Sequence, residues 1–420
     1  MQKLYLEALH SVGDMVVLSA AIRDLTLNYP DKYEIHLSTR CHQLFEHNPL
    51  ITYYKKITNN ARINLNYASL MPKKHDQPHH MVGVYHKLLE KHLKIPIPLL
   101  KPHGDLYLPD ELVYKSPVDG NYWLIMAGGK NSWKTKLWPA EYWQQTVNEL
   151  DKHGINVVQT GHKPNHEHIS PSIECSLDLN GWGGLQELLW LIYHCDGIIC
   201  GITSGMHIAA CFNKPCVVLA GGKESVNWEH YSNDNFIEKF GNDCESVRVE
   251  HRFLNIYGEL PCCNTNTICW KRDLDENSKK ARLCSHTDGD YARCMTLIKP
   301  ETVVDAVLSY KTGDNMPKNK NYTRTVAISP AFMIELDSVA AFRSAFPELH
   351  KEIKTTLKKY NKCCRTAKDV LAYNNAWNDI KIKITQFDDE RKKKLKELAE
   401  VKKLVVNWND EAKKSHREVL

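Results

Sequence analysis

The stretch ICGITSGMHIAACFNKPCVVLAGG, from Ile199 to Gly222, decides the fold. It predicts a buried strand, a helix that starts within Gly-Ile-Thr-Ser-Gly, and a second buried strand. Similar alternation of strands and helices runs back to Asn121, which is typical of a parallel sheet covered by helices on both faces. In such sheets ligands bind beyond the carboxyl ends of the strands, where Thr203 and Ser204 stand.

A separate strand, helix and strand open the chain, in KLYLEAL, MVVLSAAIRDLTLNY and PDKYEIHLSTR. The first helix is expected to be amphipathic. A stretch rich in proline and turn formers, Pro96–Gly120, indicates a connector. We therefore predict an α/β protein with two doubly wound, Rossmann-like domains that face a cleft. The expected domains are an acceptor-side domain over 1–115, a nucleotide-sugar domain over 116–328 and a basic helical domain over 329–420.

Composition fits an ordinary globular protein, with 42% hydrophobic and 25% charged residues in a chain of 420. The N-terminal MQKLYLEAL lacks the basic and apolar regions of a signal peptide. No run approaches the roughly 18 apolar residues of a membrane span. A cytoplasmic protein is expected, in the host cytoplasm if a phage encodes it.

Positive charge is concentrated at the C-terminal end. From Ala331 onward there are about 20 Lys and Arg against about 14 Asp and Glu. This tail alone therefore carries about +6, whereas the net charge of the whole chain is +5. Attraction for a polyanion such as DNA is therefore expected in residues 331–420. The alternative is a solvated helical hairpin.

Nine of the 14 cysteines fall into two groups. Those in apolar stretches are predicted to be small buried hydrophobic residues, and they are Cys195, Cys200, Cys211 and Cys216. A second group lies in PCCNTNTICW and LCSHTDGDYARCM. It can supply a tetrahedral thiolate site, with Cys263, Cys269, Cys284 and Cys294 as ligands and Cys262 as a reserve. The alternative is a set of reduced surface thiols.

Two turns between a strand and a helix are candidates for binding phosphate. In GITSGMH, free N–H groups of the helix start and the hydroxyls of Thr203 and Ser204 can bind an anion, although a plain helix cap has the same composition. In MAGGKNSWKTKLWPAEYW, glycines allow close backbone approach and lysines supply charge. The candidates there are Gly128, Gly129, Lys130 and Lys136, and the alternative is an exposed basic loop.

A third turn, HSVGDMV, lies near the N-terminus. Gly13 permits a tight turn, and Asp14 stands near the start of a helix, where it can act as a general base or only as a cap. Two weaker candidates complete the set. The pair His79–His80 is expected to be exposed, and Trp228–Tyr231 is a candidate lining of the cleft.

These motifs together resemble glycosyltransferase family nine, the ADP-heptose heptosyltransferase group with a GT-B fold. SVGDMVVLSAAIRDL, KLWPAEYW and SGMHIAA followed by KPCVVLAGG carry the resemblance, which covers roughly residues 1 to 310. It implies inverting transfer of a sugar from a nucleotide-diphosphate donor, with Asp14 as the base and Lys136 on the donor phosphates. By the same resemblance the diphosphate lies at a turn composed of Thr203, Ser204, Gly205 and Met206, with His207 just inside the helix.

One departure concerns the donor. Many members of the family have Asp-Ser-Gly-Pro-Met-His at this turn, whereas this chain has Ile-Thr-Ser-Gly-Met-His. ADP-heptose is therefore not assumed. The cysteine segment also resembles the insertion of the iron-binding autotransporter heptosyltransferases. This resemblance implies structural zinc or iron at the cluster and makes assembly into homo-oligomers possible. No catalytic divalent metal is expected, because lysine and the helix start can stabilise the leaving diphosphate.

Three functions remain open at this point. The first is a glycosyltransferase that acts on a glycan or another cellular hydroxyl acceptor. The second keeps the chemistry and takes a hydroxymethylated base of phage-type DNA as the acceptor, because the tail is basic. The third is a non-catalytic, metal-stabilised binding protein on the same scaffold.

Overall fold

A computed structural model gives the structure of this protein. The chain divides into two units, Met1–Asp314 and Asn315–Leu420. The structure describes residues 1–52, 62–77, 80–240, 244–263, 266–275 and 282–311. The predicted basic helical domain over 329–420 therefore lies outside the described residues. We call residues 1–115 the N-terminal half of the first unit and residues 116–311 its C-terminal half.

The N-terminal half contains a parallel sheet in which β1 lies between β2 and β3. Its strands and α-helices are β1 Gln2–Glu7, α1 Val12–Asn28, β2 Tyr33–Ser38, β3 Ile63–Asn64, α2 Val84–Leu93 and α3 Asp110–Val113. Short 3-10 helices cover His42–Phe45, Ala68–Leu70 and Met81–Gly83. The connector predicted from the sequence is largely irregular and contains α3.

The prediction of an amphipathic first helix was wrong. Every residue of α1 from Met15 to Leu25 is buried. The reason is that α1 packs against α2 and also against a helix of the C-terminal half, so it has no broad solvent face. A helix covered on several sides does not need a single apolar stripe, and the buried residues of α1 include Ser19, Arg23 and Asp24 beside the apolar ones.

The C-terminal half contains a six-stranded parallel sheet in the order β11-β10-β9-β4-β6-β8. Its elements are β4 Trp123–Met126, β5 Gly129–Lys130, α4 Ala140–Lys152, β6 Val157–Gly161, β7 His168–Ile169, β8 Leu177–Asn180, α5 Leu185–His194, β9 Gly197–Gly201, α6 Ser204–Cys211, β10 Cys216–Gly221, α7 Val226–Glu229, α8 Asn233–Phe240, β11 Arg252–Asn255, β12 Thr287–Asp288, β13 Tyr291–Ala292, α9 Arg293–Thr296 and α10 Pro300–Lys311. A 3-10 helix covers Asn131–Lys136. The predicted α/β class is confirmed.

Both faces of the large sheet are covered by apolar cores. Along β4, Leu124 joins one core while Trp123 and Ile125 join the other, because successive side chains of a strand point to opposite faces. Three of the cysteines predicted to be buried are at most 1% exposed, and they are Cys195, Cys200 and Cys216, whereas Cys211 is half-buried. In the described part of the chain no helix has the length and apolarity needed to cross a membrane.

The topology places the predicted motifs at one edge. β4 and β9 are parallel neighbours, so the segments that follow them leave the sheet side by side. One segment leads through β5 to Lys136, and the other leads to Thr203 and α6. This is the carboxyl edge of the sheet, where ligands of such folds bind.

Candidate active site

The start of α6 forms the centre of the site. Thr203 precedes the helix in an extended conformation, and its Oγ1 is buried without a hydrogen-bond partner among the described residues. Gly205 faces the sheet, since a Cβ there would lie 2.6 Å from Met126 Sδ. Met206 is fully buried in the core. The groups of this turn that are available to a ligand are thus the N–H groups of the first helical turn and the Thr203 hydroxyl, which has no partner among the described residues.

Lys136 lies beside this turn. Its ammonium is 2.5 Å from Glu224 Oε1 and donates to the carbonyl of Ile202 at 3.4 Å, one residue before Thr203. The Lys136 side chain is 24% exposed, so a ligand in the cleft can reach it. The structure therefore brings together Lys136 and the helix start, which are about 65 residues apart in the sequence.

The glycine-rich turn serves mainly backbone packing. A Cβ on Gly128 would lie 2.5 Å from the Ile169 carbonyl oxygen, and Gly129 pairs with Ile169 in the small sheet of β5 and β7. Lys130, at the end of β5, donates to Ser11 Oγ at 3.2 Å. This contact crosses from the C-terminal half to the N-terminal half.

Asp14 stands in the first turn of α1 and accepts two hydrogen bonds. Ser11 N–H donates to Asp14 Oδ2 at 2.8 Å, and the Tyr67 hydroxyl donates to Oδ1. Burial, followed by the charge of Asp14, raises the pKa of Tyr67 far above its usual value, so Tyr67 remains a donor. The capping role considered in the sequence analysis is real, and the same carboxylate is half-buried at the cleft.

The two halves meet at Gly13. A Cβ on this residue would lie 2.8 Å from His207 Cδ2 and 3.5 Å from Ser204 Cα. Gly13 therefore lets the turn that carries Asp14 approach the first turn of α6. His207 is 4% exposed, and its Nδ1 lies 2.8 Å from the Tyr231 hydroxyl. Burial lowers the pKa of His207 to about 4, so its imidazole is neutral.

Cations surround Trp133 in the loop before Lys136. The Arg272 guanidinium lies 4.0 Å from the ring centroid, Lys223 Nζ lies 4.3 Å from it and Lys136 Nζ lies 4.9 Å from it. Lys223 is 3% exposed and donates to Thr135 Oγ1 at 2.9 Å. Burial, followed by the neighbouring Lys136, lowers the pKa of Lys223 to about 8. Cation–π contacts of this kind hold the positive groups close together despite their repulsion.

The cysteine segment lies directly behind this loop. A cavity of about 20 Å³, the size of a single ion or water, is lined by Cys262, Cys263, Cys269, Cys284 and Cys294, with Lys223 among its other walls. The segment also hydrogen-bonds the lysine loop, since Thr135 N–H donates to the carbonyl of Arg272 at 3.2 Å and Thr135 Oγ1 to that of Lys271 at 2.9 Å. Among the described residues no three His, Cys, Asp or Glu side chains already stand in a metal-ligating arrangement.

The prediction of an exposed histidine pair was wrong for His80. This residue is 2% exposed, and its ring packs 4.4 Å from that of Phe236, between centroids. The apolar residues that follow it, Met81 and Val82, are the sequence signal of this burial. His79 lies outside the described residues.

Several residues of the site were missed in the sequence. Lys223 and Glu224 follow the buried strand β10 after Gly222, and a charged pair near a strand end could have marked them. Trp133 lies inside the quoted lysine motif. Tyr67 has no local signal, because only the tertiary fold brings it to Asp14.

Comparison with known families identifies the fold. A family model described as glycosyltransferase family 9 (heptosyltransferase) matches residues 52–253. Residues 52–253 thus match a glycosyltransferase family 9 domain. This confirms the resemblance predicted from the sequence, and the protein is a glycosyltransferase. The matched range includes Lys136 and Thr203 but begins after the turn that carries Asp14.

Solved structures resemble this glycosyltransferase at low sequence identity. A family 9 glycosyl transferase from Veillonella parvula has 14% identity and a TM-score of 0.50, over 74% of this chain and 97% of that one. The ADP-heptose LPS heptosyltransferase II of E. coli has 15% identity and a TM-score of 0.45, over 75% and 99%. The iron-containing dodecameric glycosyltransferase TibC from enterotoxigenic E. coli has 14% identity and a TM-score of 0.47, over 74% and 76%. No curated protein matches the chain. The predicted GT-B architecture is confirmed.

Proposed function

We propose that this glycosyltransferase moves a sugar from a nucleoside-diphosphate donor to a hydroxyl acceptor with inversion, and that Asp14 is its general base. The observation that carries the proposal is the approach of Gly13 to Ser204 and His207. It brings the turn that carries Asp14 in one half up to the start of α6 in the other half, beside which Lys136 lies. A base and an anion site that face each other are what inverting transfer requires.

The reaction follows from this arrangement. Asp14 accepts the proton of the acceptor hydroxyl while the acceptor oxygen attacks the anomeric carbon of the donor. The bond from that carbon to the diphosphate oxygen breaks, and the nucleoside diphosphate leaves with the electron pair. Lys136, the N–H groups of the first turn of α6 and the Thr203 hydroxyl stabilise the charge that develops on the leaving group.

The hydrogen bonds to Asp14 prepare it for this role. Ser11 N–H and the Tyr67 hydroxyl hold both carboxylate oxygens in place, so the base does not have to reorient during the reaction. Preorganised groups of this kind contribute more than mobile ones because no ordering is needed in the transition state.

Binding and turnover test the proposal separately. ADP, GDP, UDP and CDP are titrated into the protein by calorimetry, and the nucleotide sugar of the best binder is then assayed for release of nucleoside diphosphate with a cell extract as the acceptor. We expect Lys136→Ala to weaken nucleotide binding about tenfold or more. We expect Asp14→Asn to leave binding unchanged and to slow transfer by about 10²- to 10⁴-fold. Undiminished transfer by Asp14→Asn would exclude Asp14 as the base.

We further propose that the cysteine cavity holds a structural zinc or iron ion. Its size and its thiols fit a thiolate-bound ion, although the side chains must turn toward a common centre when the ion binds. The ligands would be Cys263, Cys269, Cys284 and Cys294, with Cys262 in reserve. When bound, the ion would brace the segment that hydrogen-bonds the lysine loop.

DNA is the second candidate acceptor, and the charge of residues 331–420 favours it. Binding of duplex DNA by the full chain is compared with that by a chain ending at Ser329, at low and at moderate salt. Binding by the full chain alone, with a steep salt dependence, would make the tail a nucleic-acid arm. Absence of binding by either protein would direct the search to glycan and protein acceptors. The family match favours either transferase over a non-catalytic binding protein.

A further inference from the structure

Two buried carboxyl groups lie behind the site. Glu224 follows β10, Glu229 ends α7, and each is 3% exposed. Their carboxyl groups interact directly with each other. Two ionised carboxylates that are buried side by side repel strongly, so the pair retains one proton.

The surroundings place that proton on Glu229. Glu224 faces the Lys136 ammonium at 2.5 Å and is therefore the ionised member. Glu229 Oε2 is buried without a hydrogen-bond partner in the described part of the chain, and the nearest ring nitrogen, His207 Nε2, is 3.7 Å away. An unpartnered buried oxygen is tolerated on a neutral acid far better than on a carboxylate.

The other groups that face Glu229 favour the same state. Asp14 adds a negative charge, Lys136 opposes it in part, and the Tyr67 and Tyr231 hydroxyls stay protonated. Burial, followed by the charge of Glu224, raises the pKa of Glu229 well above its usual range.

We propose that Glu229 is a positioning residue that acts as a neutral carboxylic acid, fixes the Glu224 carboxylate against Lys136, and keeps a second negative charge away from the donor phosphates. The inference rests on the proposed function, in which Lys136 binds the diphosphate. The proton donated by Glu229 holds Glu224 in one orientation, and Glu224 in turn holds the lysine. An ionised Glu229 would repel a diphosphate bound at Lys136.

Two substitutions separate a neutral acid from other roles. Glu229→Gln preserves the shape, donates to Glu224 through its amide N–H and places a carbonyl oxygen where Oε2 stands. Glu229→Leu is similar in size and has no hydrogen-bonding group. The probe is whichever of ADP, GDP, UDP and CDP the unaltered protein binds best, without sugar or acceptor, titrated from about pH 6 to about pH 9.

The expected result is a rescue by glutamine. Near pH 6 we expect Glu229→Gln to bind the nucleotide within about twofold of the unaltered protein and Glu229→Leu to bind about tenfold more weakly. Toward pH 9 the unaltered protein should lose affinity more steeply than Glu229→Gln, because only the carboxyl group can ionise. Lys223, whose pKa is about 8, titrates in all three proteins, so the difference between them is the readout.

Three outcomes would overturn the inference. Equal weakening of nucleotide binding by Glu229→Gln and Glu229→Leu would show that the hydrogen bond donated by a neutral acid is not required. Parallel pH profiles of the unaltered protein and Glu229→Gln would show that Glu229 does not ionise in this range. Absence of nucleotide binding in the unaltered protein would contradict the proposed function and remove the inference with it. If the leucine variant does not fold, the comparison of pH profiles between Glu and Gln decides alone.

Discussion

Gly13 and His207 lie so close that a Cβ on residue 13 would come within 2.8 Å of the imidazole Cδ2. The imidazole cannot easily move aside, because it is buried and its Nδ1 is held 2.8 Å from the Tyr231 hydroxyl. Gly13→Ala should therefore push the turn of Asp14 away from α6. We expect a loss of about 1–3 kcal/mol in the free energy of unfolding and a larger relative loss of transfer than of nucleotide binding.

A matched control for this change is Gly201→Ala, at the end of β9. The nearest atom to a Cβ there is 3.6 Å away, which is an ordinary contact. Urea unfolding and the nucleotide-release assay on both variants check the prediction. Equal effects of the two substitutions would show that the approach of Gly13 to His207 is not the constraint.

Thr203→Val should weaken nucleotide binding without lowering the stability of the free protein. The Thr203 hydroxyl is buried without a hydrogen-bond partner among the described residues, so its removal should leave the free protein equally stable or slightly more stable. If the hydroxyl donates to the bound diphosphate, the variant loses that hydrogen bond, and we expect the free energy of nucleotide binding to weaken by about 1–2 kcal/mol. Thermal unfolding without ligand measures the stability, and calorimetry with the nucleoside diphosphate measures the affinity. A loss of stability with unchanged affinity would show that the hydroxyl stabilises the fold and does not bind the diphosphate.

The sequence predicted the order of strands and helices well in the C-terminal half. Pro139 and Gly154 mark the ends of α4 as expected, with the helix running over Ala140–Lys152. The apolar strands were also recognised, because a strand buried on both faces is a continuous apolar run. The sequence could not show that α1 has a second packing surface, because no local pattern indicates that α6 covers it.

The site was predictable to the extent that local turns determine it. Thr203 and Lys136 both follow strand ends, so a parallel sheet alone predicts that they meet. The pairing of Lys136 with Glu224, and of Asp14 with Tyr67, depends on tertiary approach between distant segments. Periodicity and turn chemistry contain no information about such pairs.

Metal content tests the cysteine cavity directly. We expect about one zinc or iron ion per chain by elemental analysis, and its loss in Cys269→Ser together with a lower melting temperature. Burial raises the pKa of Cys294 to about 11, and ion binding must release such thiol protons, so metal affinity should fall as pH is lowered.

The control for the cavity is Cys175→Ser. Cys175 is half-buried, and its thiol donates to the Leu177 carbonyl at 3.3 Å, near β8. This variant should retain the ion. A protein purified without metal that neither zinc nor iron stabilises would contradict the proposed site.

Asp24 should dominate the acid sensitivity of the N-terminal half. It is fully buried, accepts from Arg23 Nε at 2.7 Å and lies 2.8 Å from His86 Nε2. Burial alone would raise the pKa of Asp24, but the hydrogen bonds from His86 and Arg23 outweigh it and lower the pKa. Because the folded value is depressed, the stabilisation is present above the unfolded pKa of about 3.9 and is lost as pH falls through the folded one.

Asp24→Asn leaves the Arg23 charge buried with less compensation, so we expect a loss of about 3–5 kcal/mol in the free energy of unfolding near neutral pH. The difference from the unaltered protein should shrink as pH is lowered below about 4. Asp151→Asn, an exposed carboxyl near the end of α4, is the control and should change stability by less than about 0.5 kcal/mol. A difference that stays constant down to low pH would mean that Asp24 acts through its shape and not through its charge.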